Sequence, residues 1–139
     1  MSDPKPLYFT SDPTIGFTAE RRPDGGMNLT FKDINPDTLN HWREFAEEHL
    51  LGSDRLVRNL YDLQQVDNLS ERAIQIAVEL NSDPSTRHIR LAVVVKDDAI
   101  RKMVQKISDQ TPVGGARIEI FTDRDKAEGW LMRPIESLI

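Results

Sequence analysis

The segment Ile89-Arg90-Leu91-Ala92-Val93-Val94-Val95 constrains the fold more than any other part of the chain. It is almost wholly apolar, and such a run suits a central strand covered on both faces, the usual state in a parallel sheet. Its flanks support that reading. Asn81-Ser82-Asp83-Pro84-Ser85 breaks the chain before it, and Asp97 or Asp98 starts a helix after it, with Ile100, Met103, Val104 and Ile107 aligned.

Helix–strand alternation extends to both sides of this run. Asn35 caps a helix with Pro36 at its first position, where a missing N–H costs nothing. Leu39, Trp42, Phe45, Ala46, His49 and Leu50 share one face of it, and Leu51-Gly52 closes it. Leu56 to Tyr61 reads as the next strand. Asn68 with Glu71 then reads as a weak capping box, opening a helix with Ala73, Ile74, Ala77, Val78 and Leu80 or Leu69 as its buried stripe. Beyond the loop Thr111 to Gly115, Arg117 to Phe121 alternates as an outer strand. Thr122 or Asp123 caps a last helix carrying Ala127, Trp130 and Leu131, which Pro134 ends.

The first third has a different period. Ile15, Phe17 and Ala19 alternate with polar neighbours, as do Met27, Leu29 and Phe31, and Arg22-Pro23-Asp24-Gly25-Gly26 between them favours a tight reversal. The expectation is an N-terminal hairpin, with Leu7 to Phe9 as an extra strand and residues 1–6 as a flexible lead-in. The predicted order is ββ(β)αβαβαβα in one domain spanning residues 1–139.

Composition narrows the functional classes. The absence of cysteine removes thiol catalysis, redox switching and thiolate metal sites. A formal charge of −5 disfavours nucleic acid as the main partner, because phosphate binding needs a clustered basic surface. Lys96, Arg101, Lys102 and Lys106 group on one predicted helix, where a solvated face explains them. No apolar run is long enough to span a bilayer, and residues 1–6 lack the apolar centre of a secretory signal, so a cytoplasmic protein is expected.

No residue cluster specifies chemistry. His41 and His49 share a helix with Glu44, Glu47 and Glu48, but eight residues separate them by roughly 12 Å along the axis, too far for one ion. His88 has no visible partner. Asp62 and Asp67 lack a third ligand or a partner histidine, so loop acids that turn the backbone are the stronger reading. Gly114-Gly115 lets a backbone come close, yet no Lys-Ser/Thr follows as in a nucleotide-binding loop. Trp42 and Trp130 lie on apolar stripes and read as core. The expectation is a protein without catalytic residues, metal or cofactor.

Two patches carry a resemblance. Arg90-Leu91-Ala92-Val93-Val94-Val95-Lys96-Asp97 is one; Ala116-Arg117-Ile118-Glu119-Ile120-Phe121-Thr122-Asp123 leading into Ala127-Glu128-Gly129-Trp130-Leu131 is the other. With the order of elements, they resemble the STAS fold of sulfate-transporter and anti-sigma-factor-antagonist domains, and more narrowly the SpoIIAA-like group of small bacterial proteins. The resemblance implies a mixed α/β sheet with helices packed on it, and a regulatory, protein-binding role.

In the antagonist branch, Asp-Leu, a second Asp and Ser-Ser-Gly-Leu-Gly precede a helix, and the second serine is phosphorylated by a kinase. Asp62-Leu63 and Asp67 match the acids. Asn68 then replaces the first serine, Leu69 stands at the phosphoacceptor place, and Ser70 comes one residue late. What the resemblance implies is a recognition surface of Asp62, Asp67, Asn68, Leu69 and Ser70, with Ser70 as a phosphoacceptor in shifted register. Leu69 would be its apolar anchor, and the partner a regulatory kinase or anti-sigma-like protein. A second expectation is a carrier of a small apolar ligand or lipid, in a pocket lined by Met103, Ile107 and Trp130. Homodimerisation through the uncovered edge of the hairpin is a third.

Overall fold

The computed structural model describes residues 16–23, 26–49, 57–82, 89–111 and 117–133, excluding the side chains of residues 47–49. The expected strand at Leu7 to Phe9, the lead-in 1–6, His88 and most of the Thr111 to Gly115 loop lie outside these residues. The elements run β1 (Phe17–Arg21), β2 (Met27–Phe31), α1 (Pro36–His49), β3 (Val57–Asp62), α2 (Glu71–Ser82), β4 (Ile89–Val94), α3 (Asp98–Gln110), β5 (Arg117–Phe121) and α4 (Arg124–Leu131). One sheet takes the strands in the order β1-β2-β3-β4-β5. The β1–β2 hairpin is antiparallel and the remaining pairs are parallel. This is the mixed sheet of a hairpin followed by β-α repeats that the sequence predicts.

The sequential strand order decides where the helices go. Each crossover steps one strand in the same direction, so right-handed connections place α1, α2 and α3 on one face. α2 packs between α1 and α3, whereas α4, which follows β5, lies on the other face against β3, β4 and β5. β4 lies inside the sheet, between β3 and β5, with all six residues buried. Its side chains alternate: Ile89, Leu91 and Val93 join the core under α1–α3, while Ala92 and Val94 join Leu60, Ala127, Trp130 and Leu131 under α4.

Local chemistry sets the boundaries. The carbonyl of Asn35 accepts the first helical bond of α1, from Leu39 at 2.9 Å, so Asn35 and Pro36 stand where the sequence puts them. Thr38 Oγ1 accepts from the Gly16 N–H at 2.8 Å and donates to Asp33 Oδ1 at 2.7 Å, tying the start of β1 to the start of α1. A Cβ on Gly16 would collide with the Asp33 carboxylate, which would have to leave its bonds to Thr38 Oγ1 and the Asn35 N–H. Asp97 caps α3 and Asp123 caps α4.

The start of α2 departs from expectation. Asn68 does not cap it; Ser70 does, its Oγ accepting from the Ala73 N–H at 3.1 Å. The reason is burial: Leu69 turns into the core, which places the next residue at the helix entry. The buried stripe accordingly includes Ile76 alongside Ala73 and Ala77, with Ile74 and Val78 at its margin.

Candidate functional site

The helices α2, α3 and α4 each follow a parallel strand, so their N-terminal ends gather along the C-terminal edge of the sheet. Ser70, Asp97 and Asp123 cap them in turn, which brings polar and acidic side chains to that edge. The strand order never reverses among the described strands, so the edge has no topological switch point and none of the crevice that accompanies one.

The residues singled out from the sequence fall into two groups. Asp62 ends β3 and is buried. Its Oδ1 accepts from the Gln64 N–H at 2.9 Å and its Oδ2 pairs with Arg124 Nη1 at 3.1 Å, so it locks the loop to the start of α4. Leu69 is only 8% exposed, within the core under α1–α3, and its N–H donates to Met103 Sδ at 3.4 Å. An exposed apolar anchor at Leu69 is therefore corrected: with Leu63 and Val66 it pins the loop from beneath.

Asp67, Asn68 and Ser70 are exposed and form the outer rim of the same loop. Asp67 accepts a hydrogen bond from Lys96, the residue before the α3 cap. That bond raises the Lys96 ammonium above its ordinary pKa, with the charges of Asp67 and Asp97 adding to it. The arrangement is a polar rim on a rigid apolar base.

The expected apolar pocket does not form from its predicted lining. Met103 and Ile107 lie on α3 and Trp130 on α4, on opposite faces of the sheet. A cavity of about 50 Å³ does lie under the helices, walled by residues including Phe31, Trp42, Tyr61, Leu91, Val104 and Ile107. Drug-sized ligands occupy roughly 300 Å³ or more, so this space does not hold a lipid. At its wall Trp42 Nε1 donates to Tyr61 Oη at 3.4 Å. Burial pushes the Tyr61 hydroxyl up to about 12, only partly opposed by that bond.

Sequence reasoning assigns no site role to Arg124 or Arg90. Arg124 lies 62 residues from Asp62, and no local pattern links them. Arg90 did carry a signal, as a lone charge inside an apolar strand.

No helix of the described residues is long and apolar enough to cross a membrane. No protein-family model matches the sequence, and no curated protein matches it. The five-stranded mixed sheet with its four helices has a SpoIIAA-like α/β fold. Among solved structures, the chain is similar to an uncharacterized protein of the DUF3478 family with a SpoIIAA-like fold, from Shewanella loihica PV-4. The two are 19% identical with a TM-score of 0.63, over 88% of this chain and 99% of that one.

Proposed function

We propose that this protein is a non-enzymatic, cytoplasmic regulatory domain that recognises a protein partner through the rim Asp67, Asn68 and Ser70. The observation that carries the reading is the split within one loop. Leu63, Val66 and Leu69 are buried while Asp67, Asn68 and Ser70 face water, so a rigid polar surface is held at the start of α2. Rigid presentation lowers the ordering cost of association, and acidic groups favour a basic partner surface.

Ser70 also supports regulation by phosphorylation. Its Oγ already receives the Ala73 N–H, so a phosphoryl group there would meet the free N–H groups of the first turn of α2. The partner class is a regulatory kinase or an anti-sigma-like protein.

The test is affinity purification of the tagged protein from the cells that make it, alongside an Asp67→Arg/Asn68→Arg variant. A stoichiometric partner lost from the variant, at unchanged thermal stability, is the expected result. Recovery without a partner, or equal capture by the variant, overturns the reading. Mass spectrometry of the same samples reads Ser70 for phosphate.

A further inference from the structure

Among the described strands β5 ends the sheet order, and α4 packs against it, so a groove opens between the two. It measures about 600 Å³, within the size range of small-molecule sites. Glu119 and Phe121 line it from β5, and Lys126, Gly129, Trp130 and Arg133 line it from α4 and the turn that follows. It lies on the α4 face of the sheet, away from α2 and the rim at Ser70.

The floor is aromatic and held in place. The Phe121 and Trp130 ring centroids are 5.9 Å apart, with the planes at 49°. Arg90 Cζ stands 5.9 Å from the Trp130 centroid. Arg90 Nη1 also donates to the Trp130, Leu131 and Arg133 carbonyls, so the indole and the turn that carries Arg133 are anchored before a ligand arrives.

The walls are charged. Arg124 and Glu128, also on α4, are held by Asp62 and Arg22. Among the described residues no side chain pairs with Glu119, Lys126 or Arg133, and all three are exposed. Two cations and one carboxylate are thus left around an apolar floor.

Gly129 points the same way. It lies inside α4, where glycine is the poorest helix former after proline. A Cβ there would meet nothing within 4 Å, and the backbone is helical, so neither crowding nor a left-handed conformation calls for glycine. Its effect is to leave the groove open beside Trp130. A local rule broken without a packing reason is expected where a ligand comes close to the backbone.

We propose that this groove binds a free aromatic amino acid. The ligand's ring lies against Phe121 and Trp130, over the Gly129 backbone. Its carboxylate meets Lys126 and Arg133, and its ammonium meets Glu119, so all three unpaired charges are used. A simple carboxylate leaves Glu119 opposed, and a simple amine faces two cations.

Proton–nitrogen correlation NMR reads the site through the Gly129 amide and the Trp130 indole N–H. The Trp42 indole, on the other face, is the internal control. L-phenylalanine should shift the first two saturably and leave Trp42 unmoved. Phenylacetate and phenethylamine, each lacking one of the two charges, should bind at least about tenfold more weakly. Gly129→Leu fills the groove with a better helix former, so it should abolish the response while thermal stability holds or rises. Glu119→Gln, at an exposed position, should weaken L-phenylalanine about tenfold and phenylacetate not at all. No saturable shift with L-phenylalanine, equal affinity for phenylacetate, or an unchanged response in Gly129→Leu overturns the proposal.

Discussion

The side chains of β4 enter two unlike surroundings. On one face Ile89, Leu91 and Val93 meet three helices and a continuous apolar layer. On the other, α4, of eight residues, is the one described helix that Ala92 and Val94 meet, and the buried neighbours include Arg22, Asp62 and Arg90. Chain connectivity accounts for the difference. The crossover helices α1, α2 and α3 are held to their face by the strands at both ends, and apolar burial suffices to seat them.

α4 follows β5, and directional contacts add to the burial of Ala127, Trp130 and Leu131 in fixing it. Arg124 meets Asp62 near its start, Glu128 meets Arg22 at its middle, and its last carbonyls meet Arg58 and Arg90. Gly129 adds to the need for them, because an exposed mid-helix glycine costs about 1 kcal/mol against alanine and its missing Cβ would touch nothing. Apolar area seats the first face, and on the second a smaller apolar cluster is joined by hydrogen-bond geometry.

The sharpest way to break this contrast is Leu69→Asp. A carboxylate forced among the core residues of the first face should cost at least about 4 kcal/mol, leaving little folded protein by circular dichroism. A stable, folded variant would return Leu69 to the surface. Ile100→Ala, at a fully buried site, should cost about 2–5 kcal/mol in urea denaturation. Leu131→Ala should fall at the lower end of that range, because a one-helix layer relaxes into the hole more readily.

Glu128→Gln tests the directional face and should cost about 1–2 kcal/mol, limited by the partial exposure of the carboxylate. Ser70→Ala removes a cap and should cost about 1 kcal/mol, read from the same denaturation midpoint. Tyr61 should leave neutral-pH stability untouched. Its raised pKa means that the folded state holds the phenolic proton more tightly than the unfolded state. That contribution is complete below pH 10 and is lost as pH rises towards 12. Absorbance titration at alkaline pH, with Tyr61→Phe as the blank, measures it.

Much of the fold was legible in the sequence. The apolar run at β4, the period-two alternation of β1 and β2, and caps at Asn35, Asp97 and Asp123 are local signals with local causes. The site was only half legible. The resemblance points to Asp67, Asn68 and Ser70, but the direction of Leu69 depends on core space under α3, which no neighbour in sequence reports. The pairings Asp62–Arg124 and Arg22–Glu128 span 62 and 106 residues, so they exist only once the sheet has formed. Expecting Trp130 beside Ile107 failed for a topological reason. Periodicity says that a helix has an apolar side, but strand order decides which face of the sheet receives it.

The sequential sheet also sets a timetable for synthesis. Every described strand leaves the ribosome before α4, so Leu60, Ala92 and Val94 stay uncovered on the nascent chain until that helix arrives. Arg58, Arg90 and Arg117 border that temporary patch, and charges flanking uncovered apolar strands disfavour association between unfinished chains. Stalled chains ending at Phe121 should aggregate more when these arginines are replaced by leucine; equal solubility would remove the gatekeeping role.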